Sequence, residues 1–134
     1  MRLRTGGERV PSFIVKPIAD EDFYVVWSTV VDAPTGCGSR EELARDLGPA
    51  KGAPERFDRA DKFGTSMKDP EIARDCQWFG WHDKAFRLAE WPIPNARRNE
   101  GIYQVPRENI RALCEQSEDA DPTELLIFTP HEDA

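Results

Sequence analysis

Residues 23–31, Phe-Tyr-Val-Val-Trp-Ser-Thr-Val-Val, form an unbroken run of β-branched and aromatic character that ends on Asp32 and the turn signal Ala33-Pro34-Thr35-Gly36. In an extended chain the side chains alternate, so Phe23, Val25, Trp27, Thr29 and Val31 share one face and Tyr24, Val26, Ser28 and Val30 the other. A strand with one wet face would alternate apolar and polar. Here both faces are mostly apolar, which predicts a central strand covered on both sides.

The chain has 134 residues, enough for one domain that buries about two thirds of the surface its unfolded form exposes. It reads as one unit over 1–134, with 1–11 and 129–134 loosely attached. The run at 23–31 is its longest apolar stretch and falls well short of the ~20 residues a spanning helix needs, so no membrane span is expected. The basic N-terminus (Arg2, Arg4, Arg9) lacks the apolar core of a signal peptide, which points to the cytoplasm. Cys37, Cys76 and Cys114 are odd in number and widely spaced, which gives no disulfide framework and agrees with a reducing compartment.

The net charge is −7, and its distribution says more than its total. Residues 101–134 carry 2 basic and 8 acidic groups, so the acidity is concentrated in the last third. A phosphate backbone would be repelled by that end, which argues against general nucleic-acid binding. Arginine outnumbers lysine 13 to 5, a bias expected of a high-GC bacterial genome or one of its phages. In such a gene a GTG start is expected to be common, which would make Val10 the first residue and 1–9 an upstream extension.

Residues 12–18 read as a strand that Pro17 confines to an edge, paired in a hairpin with 23–31. Ser39-Arg40-Glu41-Glu42 is a capping box, followed by the apolar stripe Leu43, Ala44 and Leu47 and the stop Gly48-Pro49. A second helix is predicted over 54–63, with Glu55–Arg59 and Asp58–Lys62 at i,i+4 and Gly64 ending it. Strands are predicted over 77–81 and 85–91, joined by the turn His82-Asp83-Lys84. A strand over 101–105 leads into a helix with Pro106 at its first position and Ile110, Leu113 and Cys114 buried, and 125–128 is a last strand. This order predicts an α+β fold, a mainly antiparallel sheet of five to six strands covered by two to three helices.

Three constellations bear on chemistry. Cys37 falls in a glycine-flanked turn just before the capped helix, where amides and the helix dipole would stabilise a thiolate, with His82 or His131 as the expected base and Asp83 beside His82. The competing reading gives Gly36 and Gly38 to the turn, Ser39 to the cap and Cys37 no role. The same turn offers amides to an anion, although no phosphate-loop pattern is present. Cys76 and His82 could contribute to a zinc site, but no CxxC or HxxxH pair exists, so no metal or cofactor is expected. The third constellation is aromatic: Trp78, Trp81 and Trp91 lie close in sequence to Arg87, Arg97 and Arg98, a combination common at protein interfaces and also able to stack on single-stranded nucleic acid.

The segments PSFIVKPI, DFYVVWSTVVDAP, ERFDRADKFGTS and WFGWHD resemble small proteins of actinobacteria and their phages, over residues 11–92. That resemblance carries no known activity, cofactor or catalytic residue; it implies only a phage or mobile-element origin. The expectation is therefore a non-enzymatic accessory or regulatory domain that binds a protein partner. The alternatives are a small cysteine-dependent enzyme centred on Cys37 with His82, and a phage factor associated with single-stranded nucleic acid.

Overall fold

A computed structural model describes residues 12–66, 81, 84–117 and 119–131. Its first strand, β1 (Ser12–Val15), pairs antiparallel with β2 (Tyr24–Ser28), which pairs antiparallel with β3 (Ala33–Gly38). Every residue of β2 is buried. Val25 and Trp27 enter one apolar cluster together with Phe13 and Val15, while Tyr24 and Val26 enter a second with Ile14. The two faces read from the sequence are thus the two faces observed, although the strand stops at Ser28. There the buried Ser28 hydroxyl accepts the amides of Val30 and Val31 (both 3.2 Å) and starts the turn over 29–32.

β3 corrects the expectation of a turn at 33–38. Proline and two glycines give the segment little strand propensity, yet it lies at the margin of the sheet, where the missing Pro34 amide costs no ladder bond. Its register shifts between Val26↔Gly36 and Trp27↔Pro34, which leaves Thr35 as the extra residue of a bulge. Pairing with the apolar β2 overrides local propensity here.

Behind the second face lie two helices. The capping box forms as expected at the start of α1 (Arg40–Lys51): Ser39 Oγ accepts the Glu42 amide and Glu42 accepts the Ser39 amide. Gly48, at φ 82°, breaks the helical geometry where the stop was expected. α2 (Pro54–Phe63) matches its predicted bounds and ends on Gly64 in the left-handed conformation. Leu43, Phe57 and Ala60 project onto the sheet, with Phe57 edge-on to Tyr24 at 5.2 Å. Of the expected pairs, Asp58 meets Arg40 across the helices and Arg59 donates to the Ser66 carbonyl. After α2 the chain returns along the outer edge of β1, where Lys16 N donates to Gly64 O and Ser66 N to Ile14 O, so that edge is covered.

The first face of β2 packs against a second sheet rather than an extension of the first. It consists of β4 (Ala85–Arg87), β5 (Gly101–Pro106) and β6 (Ile127–Pro130), ordered β4-β5-β6 and antiparallel throughout. The architecture is α+β, with two three-stranded sheets in place of one sheet of five to six strands. The cause is visible after Arg87: Ala89 N donates to Asp32 O and Glu90 N to Val31 O, so the chain leaves β4 to pass the 29–32 turn of the other sheet. The predicted strand over 85–91 is cut short for this reason, and that over 77–81 lies outside the described residues apart from Trp81.

Beyond β5, a 3-10 turn (Arg107–Asn109) precedes α3 (Ile110–Glu115), which buries Ile110, Leu113 and Cys114 as expected. The last strand starts two residues later than predicted because Thr123–Leu125 forms a 3-10 turn. No helix among the described residues is long and apolar enough to cross a membrane.

Phe57→Ala should lower the free energy of unfolding by about 3–5 kcal/mol, read from the urea midpoint. Gly64→Ala should cost about 1–2 kcal/mol for the left-handed backbone alone, with a further cost because its Cβ would lie 2.8 Å from the Trp81 ring. A midpoint unmoved by Phe57→Ala would contradict the placement of α2 on the sheet.

Candidate functional site

Two polar assemblies stand out, and they differ in whether their charges are answered. The first lies where α1 and α2 meet the first sheet. Asp61 accepts from Lys16 Nζ (2.7 Å) and Tyr24 Oη (2.5 Å) on one oxygen and from Arg40 (3.2 Å) on the other. Arg40 also reaches Asp58 at 2.8 Å, its amide donates to Asp22, and its guanidinium lies over Phe57. Burial works against the Asp61 carboxylate, but the bonds from Lys16 and Tyr24 and the charges of Lys16 and Arg40 outweigh it and hold its pKa below the usual aspartate value. Burial likewise opposes the Lys16 ammonium, and the bonds to Asp61 and Tyr24 more than offset it, so its pKa lies above the usual lysine value. Burial first, then the bond to Asp61, raises the Tyr24 phenol. Each charge in this network has a partner, and its role is to fasten the helices to the sheet.

The second assembly is open. β5 alternates along its length: Gly101, Tyr103 and Val105 face the core, and Ile102, Gln104 and Pro106 face away from it. Register then builds the outward rows Ala85·Pro106, Arg87·Gln104·Ile127 and Ile102·Thr129. No element among the described residues covers this face, and Ile127 is 46% exposed on it. At one end the surface dips into a recess of about 190 Å³ between Arg87 and Arg98, lined also by Ala89, Ile102, Tyr103 and His131.

The arginines around the recess differ in how they are held. Arg98 donates from Nε to Ala89 O (2.9 Å) and from Nη2 to Trp91 O (2.7 Å), so two neutral carbonyls fix its guanidinium in place. Arg97 pairs with Glu100 at 3.1 Å and lies over the Phe128 ring at 4.5 Å. Arg87 projects from the exposed side of β4 and has no hydrogen-bond or ion-pair partner among the described residues. The Tyr103 hydroxyl accepts the Arg97 amide, which fixes the base of the 96–100 loop.

Arg87 and Arg98 thus both line the recess, while Arg97 lies apart over Phe128 and the tryptophan rings do not join them. Trp91 is 6% exposed and belongs to the core between the sheets. Trp81 donates to Lys62 O at the end of α2 and stacks on Arg107, away from the recess. Trp78 lies outside the described residues. Cys37 is 4% exposed on β3, opposite Val25 and within the core cluster, so no approach to its sulfur is open to a substrate. His82 and Asp83, expected as its partners, lie outside the described residues, as does Cys76. The helix start that could have cradled an anion is already served by Asp22 and the capping box. Among the described residues no group of three or more His, Cys, Asp or Glu is placed to hold a metal ion.

Tyr103, Ile102, Gln104 and Ile127 were not singled out from the sequence, and His131 only as a candidate base or zinc ligand. The alternation in 101–106 marks the outward side of β5, but the partners across the sheet depend on register. Comparison with protein-family profiles, curated proteins and solved structures finds no match. The chemistry of the open face therefore carries the functional argument.

The closed network predicts a pH response with a definite sign. The lowered Asp61 pKa gives stability that is full above the ordinary aspartate range and lost as pH falls through the Asp61 value; the raised Lys16 and Tyr24 values give stability that is lost as pH rises through them. Asp61→Asn should lower neutral-pH stability by about 1 kcal/mol after allowance for solvent screening, and should flatten the decline of Tm below about pH 5. An acid limb unchanged in the variant would show that Asp61 does not report this network.

Proposed function

We propose that this protein is a non-enzymatic accessory or regulatory domain that binds a protein partner on the outward face of its second sheet. The observation that carries the reading is the face itself. It is mixed apolar and polar, it is uncovered among the described residues, and it presents Ile127 beside Gln104 and Arg87 in one row. Such a composition is typical of the surfaces by which separately folded proteins associate. The buried Cys37 counts against a thiol enzyme, since a nucleophile must be reached by its substrate.

The outer edge of β6 favours docking on the face over strand addition. His131 N donates to Glu100 O, so the alternation of the ladder turns the backbone groups of Phe128 and Pro130 outward. Pro130 has no amide to offer, and a strand added there would find few donors. The arginine-for-lysine bias and the resemblance noted above support an origin in a high-GC bacterium or its phage. The odd, widely spaced cysteines support a cytoplasmic setting.

The test compares partner retention by surface variants whose folding is verified by circular dichroism. A protein retained by the wild-type chain should be lost by the double variant Gln104→Arg, Ile127→Asp and kept by Asp46→Arg on the exposed side of α1. Retention by the double variant, or equal loss in both, contradicts docking on this face.

A further inference from the structure

The recess contains two guanidinium groups that no carboxylate among the described residues answers. The chain carries 25 acidic against 18 basic residues, so acids are not in short supply. Arg40 has Asp58 and Asp61, Arg97 has Glu100, and Arg111 has Glu21 and Glu115, whereas Arg56 and Arg59 donate to backbone carbonyls. Arg98 likewise donates to two backbone carbonyls, which orient it without neutralising it; what sets it apart is that it shares a concavity with a second guanidinium. Arg87 has no partner among the described residues, and none of the side chains lining the recess is Asp or Glu. Two like charges facing one concavity repel each other, and an anion seated between them would remove that cost.

We propose that this recess receives the carboxylate of an aspartate or glutamate side chain from an acidic peptide segment of the docked partner, an inference that rests on the docking reading above. Arg98 is fixed by Ala89 O and Trp91 O and acts as the preorganised donor. Arg87, whose side chain has no partner among the described residues, closes over the carboxylate from the other side and takes the entropic cost of ordering only on binding. Ile102 gives the recess an apolar side chain suited to the methylenes of the entering residue. The recess opens onto the Arg87·Gln104·Ile127 row, so a partner lying on the face delivers its acidic residue without a change of direction.

A carboxylate is favoured over a phosphate by the surroundings. Beside the recess, Glu100 is held by Arg97 at the surface, and the chain as a whole is at −7, a field that repels a dianion more than a single carboxylate. His131, which also lines the recess, offers an imidazole rather than a third guanidinium.

The test is an amide-resolved NMR titration of the full chain with the single-glutamate peptide acetyl-Gly-Gly-Glu-Gly-Gly-amide, with its glutamine counterpart acetyl-Gly-Gly-Gln-Gly-Gly-amide and inorganic phosphate as separate arms. The glutamate peptide should give saturable shifts confined to 87–89, 98, 101–103 and 131, and these should weaken as salt is raised. Arg87→Gln, which removes no contact of the fold, should weaken the peptide at least fivefold. The glutamine peptide should give no saturable shift. Shifts scattered over other basic residues, an unchanged affinity in Arg87→Gln, or phosphate saturating the recess below the peptide concentration would each overturn the proposal. If the peptide fails while a partner is still lost by Gln104→Arg, Ile127→Asp, the carboxylate assignment falls and the docking face stands. If the peptide binds as described while the partner survives that double variant, the recess stands and the docking reading falls.

Discussion

The burial of β2 on both faces is the constraint from which the rest of the structure follows. One strand contributes Val25 and Trp27 to the core between the sheets and Tyr24 and Val26 to the core beneath the helices. Neither core closes without it, so both layers must dock on the same five residues. Each large apolar side chain so buried is worth about 1.5–3 kcal/mol. The second sheet follows as the cover of the first face and the α1–α2 pair as the cover of the second. That arrangement spends the inner face of the second sheet on the core and leaves its outer face with nothing behind it among the described residues.

The polar groups are distributed by the same logic. Where a charge must sit near the interior, at the meeting of helices and first sheet, it is tied into the Lys16–Asp61–Arg40–Asp58 chain and capped by the Tyr24 hydroxyl. Arg107, buried between the sheets' ends, donates to Lys16 O and stacks on Trp81 and Phe86. A buried cation left unanswered would cost several kcal/mol, and the fold avoids this. The outward face is under no such pressure. Arg87 and Arg98 have no carboxylate partner among the described residues and line one recess together, where water can solvate them.

Much of the fold was legible because local rules and tertiary packing agreed. The period of two in 23–28 gave both faces of β2, the capping box gave the start of α1, and the proline and glycine flanking 54–63 gave α2 its bounds. The failures have physical causes. β3 looked like a turn because Pro34, Gly36 and Gly38 disfavour a strand, and only pairing with β2 makes it one. One predicted sheet became two because the backbone after Arg87 bonds to the Val31 and Asp32 carbonyls, a contact between segments nearly sixty residues apart that no local pattern announces. The same departure carries Trp91 inward and separates it from the arginines beside it in sequence. The candidate site was half legible: Arg87, Arg97 and Arg98 were grouped by proximity, whereas Ile127 and His131 reach the same face through the register of β5 with β6.

Amide hydrogen exchange of the intact chain tests most directly whether β2 serves both layers. Val25, Val26 and Trp27 should exchange only through global unfolding, with an opening free energy equal to that from denaturation and shared by Val105 in the second sheet. If the β2 amides instead open at a fraction of that free energy while Val105 stays protected, the sheets are separable. The double burial of β2 would then not be what organises this fold.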